Sequence, residues 1–154
     1  MKKVKLLWAT AFSLFYIVVL SFIQALLIDT KSDFYISLVM PTFLPKPFIF
    51  SVVWFIVYLI LVITQTEMLA KSPTVSILVS YILLALSNIL YLVCFFKLYC
   101  PIASLVFAIL SLVILFYLLI KFIKSGFKST FLLFFVILWY SFVVVVNYSI
   151  VVYN

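Results

Sequence analysis

The chain has no histidine, no arginine, one glycine and two cysteines among 154 residues. Charge of either sign is scarce, because ten lysines and the acids Asp29, Asp33 and Glu67 make up only 8% of the sequence. Without histidine there is no imidazole for base catalysis or metal ligation. The acids lie outside the apolar runs, so no carboxylate sits where it could relay protons through a membrane. These absences argue together against a proton pump, a metalloprotease and a triad hydrolase, and no metal site is expected. Cys94 and Cys100 are too widely spaced for a CxxC redox pair. They read as buried apolar thiols, with a disulfide across one short loop as the other option. The lone glycine, Gly126, falls in a loop, which removes GxxxG helix packing.

What is present is apolar. Hydrophobic residues are 70% of the chain and aromatic residues 20%, and the mean hydropathy is +1.51. Soluble domains run at about 45–50% apolar and about 25% charged. This chain has too few polar side chains to clothe a soluble surface, so it reads as an integral membrane protein. Five apolar runs cover residues 5–28, 47–66, 74–96, 101–122 and 129–153. Each is long enough for a hydrocarbon core of ~30 Å at ~1.5 Å per helical residue. Backbone groups in lipid must be satisfied within their own segment, so the runs should be helices. The expectation is an all-α protein, a single transmembrane domain over residues 1–154 built as a five-helix bundle. Lys2, Lys3 and Lys5 precede the first run as in a signal peptide, but its apolar stretch is too long for one.

The net charge of +7 does not point to nucleic acid, because the lysines sit singly at the ends of apolar runs. Lys2, Lys3, Lys5, Lys71, Lys121, Lys124 and Lys128 fall on the side of the N-terminus, and Lys31, Lys46 and Lys97 on the other. By the excess of basic residues in cytoplasmic loops, the N-terminus is expected inside and the C-terminus outside. The loop 29–46 would then be extracytoplasmic. Abundant Lys, Ile and Phe with no Arg suggest an AT-rich bacterial genome, and hence a bacterial plasma membrane.

The loop and the run that follows it hold the most distinctive pattern. Pro41, Pro45 and Pro47 stiffen the connection, since proline fixes φ and lacks a donor. Phe50, Trp54 and Tyr58 recur every four residues on one helix face. They read either as packing between helices, as the wall of a cavity for a flat ligand, or as an interfacial anchor. Asn88 with Tyr91, and Asn147 after Trp139, Ser141 and Phe142, place amides inside apolar runs. Each amide reads as interhelical glue or as a ligand contact. Gln24 and Gln65 lie near run ends, where interfacial solvation would satisfy them.

These elements resemble the TspO/MBR family, the tryptophan-rich sensory or translocator proteins. The family's loop pattern W-Y-x-x-L-x-K-P-x-W-x-P-P is met by Phe34-Tyr35, Leu38, Pro41, Phe43 and Pro45, and its F-x-x-x-W-x-x-L-Y helix by Phe50, Trp54 and Tyr58. The third-helix L-N-x-L-W followed by F-F is met by Asn88, Leu90 and Tyr91 with Phe95-Phe96. The last-helix W-x-S-F and its later Asn are met by Trp139, Ser141, Phe142 and Asn147. The resemblance runs from about Phe34 to the end. Phe34, Phe43 and Tyr91 stand where the pattern has tryptophan, and Met40 where it has lysine. The animal sterol stretch has no counterpart, because Tyr148 is followed by no basic residue.

The resemblance implies a five-helix bundle, often a homodimer, with a cavity capped by the first loop. Its ligands are tetrapyrroles such as protoporphyrin. Binding residues carried over from the match or read beside it are Tyr35, Pro41, Phe50, Trp54, Tyr58, Asn88, Tyr91, Trp139, Ser141, Phe142 and Asn147. Lys31 and Lys46 would meet the porphyrin carboxylates at the mouth. No histidine is available as an axial ligand for haem iron, so metal-free porphyrin is the natural cargo, a ligand rather than a cofactor. Some bacterial members promote light-dependent porphyrin breakdown, with tryptophans at the positions of Trp54 and Trp139. That would be the one activity expected here. The alternatives are a structural or partner-binding membrane subunit, or a carrier of another flat lipophile.

Overall fold

The structure is a computed structural model that describes residues 2–71 and 73–154, with the side chains of Lys2 and Val4 left aside. Ser72, which falls between the second and third apolar runs, lies outside the described residues. Six α-helices follow one another: α1 (Lys2–Leu27), α2 (Asp33–Ser37), α3 (Pro47–Lys71), α4 (Val75–Leu92), α5 (Pro101–Ser125) and α6 (Thr130–Tyr153). A π-helical turn, Val93–Lys97, extends α4. Among the described residues every regular element is helical. All but α2 are long and apolar enough to cross a membrane.

The ends of these helices follow from local chemistry. Pro101 occupies the first turn of α5, where its missing N–H costs nothing. Gly126 ends α5 at φ 63, a left-handed backbone that glycine adopts without Cβ strain. Its N–H donates to the Ile123 carbonyl, and the Phe127 N–H donates to that of Phe122. Phe127 then packs edge-on against Phe122 at 5.0 Å, the hydrophobic contact that accompanies this type of helix stop. The helix α3 runs one turn past Thr66, where the sequence suggested an end. Glu67 explains the extension. Its carboxylate pairs with Lys71 four residues on and accepts from the N–H groups of Lys128 and Ser129 at 3.3 and 3.0 Å. It thereby ties the end of α3 to the start of α6, where unpaired N–H groups and the helix dipole favour an anion.

The five long helices close into a ring. The helix α1 packs on α3 and α4, α3 also on α6, α6 on α5, and α5 on α4. Aliphatic residues such as Val57, Leu61, Leu84, Leu115, Leu118 and Val136 fill the core. Leu, Val, Ile and Phe side chains cover the outer surface, as a lipid-facing surface requires. With alternating helix directions, seven lysines and Glu67 collect at one end of the bundle. Lys31, Lys46, Lys97, Asp29 and Asp33 collect at the other.

Candidate ligand site

Two parallel helices that are not ring neighbours, α4 and α6, are joined across the interior. The Tyr140 hydroxyl donates to Asn88 Oδ1 at 3.0 Å. Toward the loop end, Tyr91 and Asn147 pair at 3.1–3.2 Å. Each asparagine also holds a backbone carbonyl one turn back, Leu84 for Asn88 and Val143 for Asn147. Both amides are buried, so each crossbar satisfies groups that lipid could not. Further along, Tyr58 on α3 bonds Gln24 on α1. Tyr81 on α4 donates to Thr64 on α3 at 3.1 Å, while Tyr16 on α1 donates to the Tyr81 carbonyl at 2.5 Å. The interior is thus a stack of tyrosine-centred bridges.

This corrects the reading of the glutamines. Gln24 is 7% exposed and Gln65 only 1%, so water at the membrane interface does not solvate them. Gln24 finds its partner in Tyr58, while Gln65 Oε1 has none. Tyr16 and Tyr140 were not singled out in the sequence. Their signal was a phenol within an apolar run, with Tyr140 seven residues before Asn147 and hence on its helix face.

Beside the crossbars lies a continuous chain of rings. Trp54 meets Trp139 edge to face at 6.2 Å and 86°. Phe50 lies 5.2 Å from Trp139, and Tyr58 and Tyr140 lie 5.6 and 5.4 Å from Trp54. Phe142 stacks on Trp139 at 5.3 Å, and Phe43 from the loop reaches Phe142 at 6.2 Å. These separations fall in the range of favourable aromatic pairing, each worth ~0.5–1.5 kcal/mol beyond burial. Trp139 also borders a groove of about 470 Å³ on the outer face of α3 and α6, with Val53, Leu138, Ser141 and Val145. Its indole Nε1 is buried without a hydrogen-bond partner.

The loop forms a roof over the crossbar end. Ser32 caps α2 by accepting from the Tyr35 N–H, and this presents Phe34 and Tyr35 inward. Tyr35 stacks on Phe96 at 5.7 Å, and Phe34 meets Phe95 edge-on at 5.9 Å. Burial pushes the Tyr35 phenol above its ordinary pKa, which keeps it a neutral donor. Phe95 and Phe96 are adjacent in sequence, yet both are buried. The π-helical turn holds them, and its wider winding is a feature found often at functional sites. Asn154, after α6, grips the roof: its Oδ1 accepts from the Val39 N–H at 2.8 Å, and its Nδ2 donates to the Val39 carbonyl at 3.3 Å. Pro41 is buried beneath, and its carbonyl accepts from the Leu44 N–H.

Most of the expected site residues therefore converge in two layers. Tyr35, Tyr91 and Asn147 lie under the roof, and Phe50, Trp54, Tyr58, Asn88, Trp139 and Phe142 in the ring chain below. Ser141 back-bonds the Ile137 carbonyl at 2.8 Å and lines the outer groove. Lys31 and Lys46 are exposed on the loop. Among the described residues, neither side chain makes a hydrogen bond or ion pair. Cys94 and Cys100 are free thiols; the Cys100 N–H donates to the Cys94 carbonyl at 2.9 Å. Among the described residues no cluster of three potential metal ligands occurs.

A ring of five membrane-length helices, roofed at one end and lined within by aromatic rings, defines an integral membrane helix bundle. The chain belongs to the TspO/MBR family, whose model matches residues 10–153. Membership supports porphyrin- or sterol-binding in general terms. A search of curated proteins returned no match.

Proposed function

We propose that the protein binds a metal-free tetrapyrrole in the aromatic layer beneath the roof. The observation that carries this reading is the Phe43–Phe142–Trp139–Trp54 chain of rings. A porphyrin is a flat π-disc, and offset or edge-on contact with such walls suits it better than an aliphatic core would. Room for it arises when rings that pack on one another exchange those contacts for the disc. The Tyr–Asn crossbars then supply donors and acceptors to ring nitrogens or substituents. Trp139 Nε1, already without a partner, gains one. Lys31 and Lys46 take the two carboxylates at the water-facing mouth. The groove beside Trp139 gives the ligand access from lipid.

The reading extends to topology and place. The lysine-rich end faces the cytoplasm and the roof faces outward, in a bacterial plasma membrane, with the chain working as a homodimer. It extends also to light: an excited porphyrin against two indoles exchanges an electron with the nearer one, and dissolved dioxygen, the terminal oxidant, then adds to the macrocycle and opens it. Titration with protoporphyrin, with Trp54→Leu and Trp139→Leu for comparison, tests the binding on which the rest depends.

A further inference from the structure

The second groove lies at the opposite end of the bundle from the roof, about 540 Å³ in size and walled by α1, α3 and α6. Its chemistry changes with depth. At the rim are Lys71 and Lys128. These two residues are brought together by Glu67, whose Oε1 takes the Lys71 ammonium and the Lys128 N–H. One turn deeper stand Thr66 and Thr10. Thr10 back-bonds the Leu6 carbonyl, but Thr66 Oγ1 is buried with no partner. Deeper still the walls are Val62, Ile63 and Leu132. Glu67 does not oppose an incoming anion strongly, because its side chain is only 12% exposed and its oxygens are taken by Ser129, Lys128 and Lys71. The Lys71 side chain is 54% exposed and keeps donors free, since an ammonium carries three.

A cation rim, then a free hydroxyl, then an apolar floor is the polarity profile of a glycerophospholipid. We propose that this groove is a specific site for one anionic phospholipid. Its phosphate sits between Lys71 and Lys128, an ester carbonyl accepts from Thr66 Oγ1, and an acyl chain lies along Ile63 and Leu132. Basic pockets between membrane helices hold anionic head groups by the same charge attraction. The site is independent of the aromatic layer and of whatever that layer binds.

The test is native mass spectrometry of the detergent-purified protein, titrated with phosphatidylglycerol and with phosphatidylcholine of the same acyl chains. The expected result is one phosphatidylglycerol retained per chain, preferred over phosphatidylcholine by about fivefold. The Lys71→Gln/Lys128→Gln variant should lose that preference, while Lys121→Gln/Lys124→Gln, at the same end but on α5, should keep it. Since Lys71→Gln also removes the pair to Glu67, Ile63→Trp provides a second route: it fills the groove, leaves every charge in place and should abolish the retained lipid. Equal loss in both lysine doubles would overturn the site, as would undiminished retention in Ile63→Trp or the absence of any lipid preference.

Discussion

Trp54 of α3 and Trp139 of α6 meet edge to face with ring centroids 6.2 Å apart, and each carries further rings on its other sides. This contact joins a spot deep in the bundle to the loop above and to the lipid-facing groove beside it. A disc inserted here would touch both indoles. On the proposed reading, binding is therefore sensitive to either tryptophan alone.

The proposed light dependence rests on the same contact. Under illumination with protoporphyrin, the wild type is expected to bleach the porphyrin absorbance faster than Trp139→Phe, with no difference in the dark. Phenylalanine keeps the ring but removes the readily oxidised indole. Equal bleaching by the two proteins under light would remove any special part for Trp139.

The Tyr140–Asn88 crossbar predicts a stability effect separable from binding. Tyr140→Phe leaves Asn88 Oδ1 without its interhelical partner. Interhelical hydrogen bonds in membranes are worth ~0.6 kcal/mol on average and ~1.7 at most. Thermal unfolding in detergent should show a loss within that range, and a loss of several kcal/mol would mean that the phenol does more than bridge. Asn88→Ala should cost more, because it removes the same bond together with the one to the Leu84 carbonyl.

Glu67 makes a larger prediction. It serves the start of α6 through two N–H groups and the Ser129 hydroxyl, besides pairing with Lys71. Hydrogen bonds to a charged group are worth ~1.5–3 kcal/mol. Glu67→Gln should lower stability by about that amount, and Lys71→Gln by less, because the half-exposed amine gains little from its pair. A reversed order of the two melting shifts would show that the ion pair within α3, not the cap on α6, carries the stabilisation.

The Asn154 grip on Val39 predicts how the roof moves. Asn154→Ala removes two hydrogen bonds between loop and α6. Two bonds at ~0.5–1.5 kcal/mol each correspond to roughly fivefold or greater opening. Limited trypsin cleavage after Lys31 should quicken by that factor, whereas the Lys46–Pro47 bond resists trypsin in either case. Unchanged cleavage would mean that the stacking of Tyr35 on Phe96 closes the roof by itself.

The helices were legible because each run is long, apolar and bounded by lysine, proline or the single glycine. The site was legible where spacing carries it: Phe50, Trp54 and Tyr58 share a face by their four-residue period, and they do line up. The partners were not legible. Asn88 was recognisable as a buried amide, but nothing in its own run names Tyr140. That bond crosses the ring between residues 52 positions apart in sequence. Gln24 was misread for a related reason, since its distance from the run's end suggested water while Tyr58 was packed against it. The π-helical turn was hidden too, because it depends on hydrogen-bond register rather than on composition.

The most direct test of the ligand site is a protoporphyrin titration of the purified protein, read by tryptophan fluorescence. Only Trp8, Trp54 and Trp139 are present, and Trp8 sits exposed near the start of α1, far from the roof. Saturable quenching at one site per chain is expected, kept in Trp8→Phe and weakened about tenfold or more in both Trp54→Leu and Trp139→Leu. Unchanged affinity in both leucine variants, or no quenching beyond a lipid-only inner-filter control, would contradict it.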